Sequence, residues 1–299
     1  MSINIQEKLK TLTELTGGKI NNQIIQFAKD ILFSRISFIV TDQNLLTHIK
    51  QRISDIKIEL LSSEDFKETF YKSNGKGFLP GGFVYNGTIY FTNDLEFNKT
   101  DFHYLIHEML HAISENEYKH GLLELSEDRK GYRGYTINEA CTEYLTSVLL
   151  EESFQGYSKD LNYMIQLLMN ITDIRIPKLM ELYILPESWL TEDIIIRFNS
   201  NNEDLILLVL LYDQRLIQTR NNPYDSNKVI KILIEAIFDK LNLGCEINCA
   251  EADSLLRNIY NYYYGDGLYV PSIEIKQKIA KLLDDLGEYK ISKSNNDLV

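Results

Sequence analysis

TDFHYLIHEMLHAIS (100–114) is the stretch on which the reading of this chain turns. Phe102, Leu105, Ile106, Met109, Leu110 and Ile113 make it apolar on most sides at helical spacing, with Thr100 or Asp101 as the expected N-cap. A helix that apolar belongs inside the protein, yet this one carries His107, Glu108 and His111. Buried polar groups need partners, so something must compensate these three. Residues four apart lie on one helix face about one turn along, so both imidazoles can address a single metal ion. Neutral imidazole is a good zinc ligand, and Glu108, beside the first of them, is placed to take a proton from an attacking water. The chain has only five histidines, which makes coincidence a poor account of this spacing. His103, one turn before His107 on the same face, is expected at the edge of a cleft or on the surface.

A catalytic metal needs a third protein ligand and an open position. GYTINEACTE (134–143) opens a second amphipathic helix, with Ile137, Ala140, Cys141, Tyr144, Leu145 and Val148 as its apolar stripe. Glu139 and Glu143 share another face, where two like charges one turn apart repel by roughly 0.2–0.5 kcal/mol on a bare helix. That cost becomes a gain if Glu139 binds the ion and Glu143 accepts a hydrogen bond from the far nitrogen of a ligating imidazole. Blander readings compete. Thr136-x-x-Glu139 also fits a capping box, with Glu139 bonded back to the start of its own helix, and Glu143 alone suits a solvated surface.

HEMLH (107–111), with Glu139 of NEACTE (138–143) lying 28 residues after His111, resembles the gluzincin branch of zinc metallopeptidases, the thermolysin-like group whose third ligand is glutamate. The resemblance covers residues 83–150. It implies Zn2+ held by His107, His111 and Glu139, with Glu108 as general base and Glu143 as the acid behind a ligating histidine. The thermolysin-like pattern has aspartate where this chain has Glu143. The rival metzincin pattern, HExxHxxGxxH, is not met: Ser114 replaces the glycine that permits the returning turn, and Glu117 stands at the last histidine. Glu117 is an outside candidate ligand. Ahead of the second helix, GYRGY (131–135) offers donors for a developing oxyanion. Tyr132, seven residues before Glu139, is placed similarly to the tyrosine of lethal-factor-like toxin proteases of the same branch. It is the first candidate for that role and Tyr135 the second, with Arg133 structural.

Outward from the motifs, residues 4–30 read as helix broken at Gly17-Gly18, RISFIV (35–40) as a buried strand, and Asn44 to Ile53 as helix. DIKIELL (55–61) alternates like a second strand. In FVYNGTIYF (83–91), Asn86-Gly87 is the pair that best tolerates a type I′ hairpin turn, and one half of that hairpin is expected to pair with substrate backbone. After residue 100 strand signals fade, and helices are expected at 101–115, 137–152, 158–170, 203–219, 227–242, 248–262 and 272–286. The expected fold is α+β and zincin-like. A small mixed sheet with the active-site helix fills 1–116, a helical lobe carrying the third zinc ligand fills 117–288, and 289–299 is a flexible tail.

Composition narrows the function. Hydrophobic residues make up 44% and charged residues 25%, ordinary for a folded enzyme. A net charge of −12 with no basic run argues against nucleic acid and anionic lipid as partners. The start is too polar for a signal peptide, and Leu205 to Leu211 is too short to span a bilayer. Cys141, Cys245 and Cys249 make no even disulfide framework, so a reducing cytoplasm is expected, with export lacking a cleaved signal also compatible. The expected activity is hydrolysis of a peptide or protein substrate, with water activated at the metal, Glu108 as base and Tyr132 on the oxyanion. The alternatives are a non-catalytic binding or regulatory module on the zincin fold, and an effector-like or toxin-like protease acting on one specific protein. Neither oligomeric state nor substrate is encoded legibly.

Overall fold

The computed structural model describes residues 5–74, 79–94, 96–116, 119–125, 132–133, 135–152, 165–166, 169 and 174–185. The chain divides into two compact units, one of Met1–Tyr157 with Ile176–Glu192, the other of Ser158–Arg175 with Asp193–Val299. Every element named below belongs to the first. The described part is mixed helix and small sheet, predominantly helical, in agreement with an α+β class.

Helix α1 (Ile5–Leu15) ends in the expected break. Gly17 and Gly18 adopt φ of 65° and 79°, and Gly18 N–H reaches back to Thr13 C=O at 2.7 Å, the C-cap geometry that glycine enters without a Cβ clash. Helix α2 (Asn22–Ile39) starts under Asn21, whose side chain accepts from the backbone of Gln23 and Ile24. It runs on through Ile39, so RISFIV is not a strand. Ile36 extends the buried stripe of Phe27, Ala28, Ile31 and Leu32 at helical spacing, and no Gly or Pro interrupts 22–39. A short apolar run is ambiguous between buried strand and buried helix, and here the stripe decides.

Helix α3 (Gln43–Asp55) and strand β1 (Lys57–Leu61) follow as expected. Helix α4 (Ser63–Asn74), which the sequence reading missed, leads to β2 (Gly82–Tyr85) and β3 (Thr88–Thr92). The hairpin turn is real, with φ of 51° at Asn86 and 71° at Gly87. The sheet order is β1-β3-β2, with β1 parallel and β2 antiparallel to the central β3. Close packing behind β2 depends on glycine. A Cβ on Gly82 would stand 2.3 Å from the Phe91 ring, and one on Gly81 2.8 Å from the Tyr104 ring.

Helix α5 (Lys99–Ser114) carries the HEMLH segment and packs on β2, β3, α2 and α3. Phe102 stacks on Phe27 with ring centroids 5.6 Å apart. Its cap is Asn98 and neither Thr100 nor Asp101. The Asn98 side chain accepts from Thr100 and Asp101 N–H, and Asp101 Oδ2 accepts from Asn98 N–H at 2.9 Å. Asn98-x-x-Asp101 is thus a reciprocal capping box, a function Asp101 serves from inside the first turn. At the other end the Arg52 guanidinium donates to the carbonyls of Ala112 at 3.0 Å and Ile113 at 3.1 Å, and also to that of Glu115. One cation therefore satisfies three acceptors at the negative end of the helix dipole.

A second, antiparallel sheet of very short strands follows: β4 (Lys119–His120), β5 (Leu123–Leu125) and β6 (Tyr132–Arg133). Pieces of two or three residues carry no periodicity, which is why the sequence did not announce them. Helix α6 (Tyr135–Leu150) holds NEACTE, and α7 (Ile176–Ile184), also unanticipated, completes the described elements. The helices expected from 203 onward lie outside the described residues, as do the tail and most of 158–170. Among the described residues no helix is long and apolar enough to cross a membrane.

Arg52→Ala leaves those carbonyls of α5 without their donor and should lower stability by about 1–3 kcal/mol, read as a reduced urea midpoint at constant slope.

Candidate metal centre

Helices α5 and α6 face each other through two polar stripes. On α5 the stripe is His103, His107 and His111; on α6 it is Glu139 and Glu143, with Glu152 just beyond the helix. The pairing runs in opposite order along the two helices, so they are antiparallel, and the Lys99–Glu152 ion pair at 2.8 Å ties the beginning of one to the end of the other. Each carboxylate spans two imidazoles. Glu143 bridges His103 Nε2 at 2.9 Å and His107 Nδ1 at 3.2 Å. Glu139 bridges His107 Nε2 at 3.6 Å and His111 Nε2 at 3.5 Å.

Glu143 is 0% exposed, so the reading of it as a solvated residue is excluded. It occupies the place expected of it, behind His107. Because His107 Nδ1–H donates to that carboxylate, its other ring nitrogen, Nε2, is turned toward Glu139 and His111. The capping-box reading of Glu139 does not describe this structure. Helix α6 already begins at Tyr135, which puts Thr136 inside it, and both Glu139 oxygens face imidazoles.

His103 is a correction: it is neither at the surface nor on a cleft edge but 1% exposed. Its Nδ1 stands 3.5 Å from Glu152 Oε2 while its Nε2 engages Glu143. The signal was present in the sequence. A histidine one turn before His107 matches a glutamate one turn after Glu139 once the helices are known to be antiparallel.

The structure brings His107, His111 and Glu139 together, with one ligand atom from each within 4.8 Å of the others. The two Nε2 atoms are 3.1 Å apart. Donors at about 2.0–2.1 Å from a tetrahedral ion lie about 3.3–3.4 Å from one another. The Nε2–Nε2 separation of 3.1 Å and the nearest carboxylate approaches, 3.6 Å from Oε2 to His107 and 3.5 Å from Oε1 to His111, lie near that value, so this trio can hold a metal ion. Electrostatics favour a cation. Burial alone would lower the His107 pKa, but hydrogen bonds to Glu139 and Glu143 outweigh it and raise it to about 10. Burial pushes Glu139 up, and His111 and His107 override it, holding the carboxyl well below its usual range. Two imidazoles and a carboxylate suit zinc and neighbouring first-row ions.

Glu108 is half-buried on α5, and burial raises its pKa against the opposing pull of His107 and His111. Residues 132–133 are placed as β6, but the side chains of Tyr132, Arg133 and Tyr135 lie outside the described residues, as does Glu117 altogether. His120 lies beside Glu115, its Nδ1 4.0 Å from Oε1. Cys141 is a free, buried thiol on α6, as its place on the apolar stripe implied. What sequence reasoning missed is Tyr183 of α7, whose hydroxyl lies 3.3 Å from His111 Nδ1. Nothing in IPKLMELYI (176–184) announces such a contact.

Compared with protein-family models, with curated proteins and with solved structures, the chain matches none.

Glu143→Gln keeps the shape of the buried bridge but removes its charge. Affinity for zinc, measured by chelator competition, should fall by about 10- to 100-fold.

Proposed function

We propose that the chain is a zinc-dependent peptidase of the gluzincin kind on a zincin-like fold. The observation that carries this reading is the convergence of His107 Nε2, His111 Nε2 and the Glu139 carboxylate at mutual distances of 3.1–3.6 Å. His107, His111 and Glu139 would hold the ion. Bound there, zinc supplies Lewis acidity, polarising a carbonyl and making water acidic enough to attack near neutral pH.

The protein's own residues do the rest. Glu143 holds His107 in the tautomer that offers Nε2, and its complete burial keeps water from competing for that bond. Glu108 accepts the proton of the attacking water and returns it to the leaving amine, so one carboxyl serves both half-reactions. An oxyanion donor from the 131–135 segment, Tyr132 before Tyr135, is part of the same proposal. So is the substrate register. Strand β2 lies at an edge of the described sheet and packs against α5, which supports the β2 half of the hairpin as the one that pairs with an extended peptide. Because Gly87 N–H donates to Glu115 Oε2 at 3.2 Å, the hairpin is tethered to the end of the helix that carries both histidines.

Protein purified without added zinc should retain about one equivalent through dialysis, and His111→Ala should release it. Glu108→Gln should keep the metal yet cut turnover of a broad peptide library by about 100- to 10,000-fold. Equal inertness of wild type and that variant would instead favour a non-catalytic binding module. Glu139→Gln separates the ligand sets: loss of zinc supports Glu139, whereas unchanged affinity would shift the third ligand to Glu117.

A further inference from the structure

His107 and His111 are supported differently. Behind His107 stands a carboxylate; behind His111 stands the phenol of Tyr183, contributed by a helix 72 residues downstream. Tyr183 is 0% exposed, so its hydroxyl has only protein partners to satisfy it. Its partners are Thr142 Oγ1 at 2.7 Å, His111 Nδ1 at 3.3 Å and the Ser114 side chain, whose own proton goes to the His111 carbonyl at 2.9 Å.

The directions of these bonds follow from counting protons. Thr142 Oγ1–H donates to Asn138 C=O at 2.7 Å, so its single proton is committed. The 2.7 Å contact between Thr142 and Tyr183 therefore uses the phenol's proton. With that proton spent, the Tyr183 oxygen can only accept from His111, which must carry its proton on Nδ1. The relay runs His111 Nδ1–H to Tyr183, Tyr183 O–H to Thr142, Thr142 O–H to the Asn138 carbonyl. Its result is an Nε2 lone pair on His111, facing His107 Nε2 and Glu139.

The ring is seated, not merely nearby. Gly121 has φ of +63°, and a Cβ there would lie 2.5 Å from Tyr183 Cε2 and 2.3 Å from Asn138 Oδ1. That same Oδ1 accepts from Leu122 N–H at 2.8 Å. Next to Tyr183, the Leu182 carbonyl accepts from Lys119 Nζ at 2.5 Å, and Lys119 is itself only 1% exposed. The segment joining α5 to α6 thus holds the last turn of α7 against the back of His111.

We infer that Tyr183 is a positioning residue for the metal centre: with Thr142 and Asn138 it fixes His111 in the Nδ1–H tautomer, so that Nε2 is presented to the ion. This rests on the metal-centre reading above, and it makes metal affinity depend on α7, outside both motif segments. A neutral phenol orients the imidazole without adding a third buried negative charge beside Glu139 and Glu143.

Tyr183→Phe keeps the ring and removes only the oxygen. Three readouts apply to the full-length variant: zinc affinity by chelator competition, the visible spectrum of the Co2+ form, and 15N shifts of His111 in metal-free protein. Zinc affinity should fall by about 10- to 100-fold, the Co2+ bands should move, and the Nδ1–H tautomer pattern of His111 should be lost. A lower melting temperature with unchanged affinity, spectrum and 15N pattern would reduce Tyr183 to a packing residue and overturn the inference. Should the Phe variant fail to fold, Thr142→Val provides the second test. It frees the phenol's proton for His111 Nδ1, which should shift the imidazole toward Nε2–H and weaken zinc binding; an unmoved tautomer overturns the relay. If wild type binds no metal, the peptidase reading fails, yet the metal-free 15N comparison still decides the role of Tyr183.

Discussion

Everything around the centre follows from burying a polar seam between two helices. His103, His107 and Glu143 are all but closed to solvent, and a charge or imidazole removed from water without partners is costly. The seam meets that requirement by interdigitation, each glutamate reaching two histidines. Such an arrangement tolerates little slippage. Moving α6 along α5 by one turn would bring Glu139 opposite His103 and leave His111 without a carboxylate. Lys99 on Glu152 opposes that shift directly, while the Asn98–Asp101 box at the start of α5 and Arg52 across its last carbonyls hold α5 itself in place. None of these touches the candidate ligands, yet each restricts where the ligands can be.

The part of this design written in local spacing was legible in the sequence. His107 and His111 had to share a face, and Glu139 and Glu143 had to share another, because helical periodicity dictates both. The hairpin was legible because Asn86-Gly87 tolerates the backbone angles its turn demands. The first helix break was legible for the same reason at Gly17-Gly18. Where only hydrophobicity was available, the reading slipped: RISFIV has a strand's composition, but Ile36 continues the apolar stripe of α2. At the start of α5 two plausible caps were preferred over Asn98, since a capping box is recognised from its pairing and not from either residue alone.

What stayed hidden is long-range. His103 looked like a surface histidine because nothing local says that α6 returns antiparallel with a glutamate for it. Tyr183 is more hidden still. It is one of 19 tyrosines, and its importance arises from a space left by Gly121 and a proton count through Thr142. Lys119 reads as a surface cation, yet it is buried with its ammonium on the Leu182 carbonyl. Such contacts are set by tertiary packing, on which sequence periodicity is silent.

In the proposed reading, the place of His103 also explains which glutamate is left for the ion. Glu143 is one methylene longer than the aspartate of the thermolysin-like pattern, and a longer side chain could otherwise swing forward and compete with Glu139. Both of its oxygens are occupied, Oε1 by His103 and Oε2 by His107. Pulling Oε2 away would cost a charge-assisted bond at a site that water does not reach, a loss of about 1.5–3 kcal/mol with nothing to replace it. Glu139 is turned the other way, with Oε2 toward His107 Nε2 and Oε1 toward His111 Nε2. In the proposed reading the two carboxylates thus balance a divalent charge in separate capacities. One is held behind the histidines by His103, and the other remains in front to coordinate.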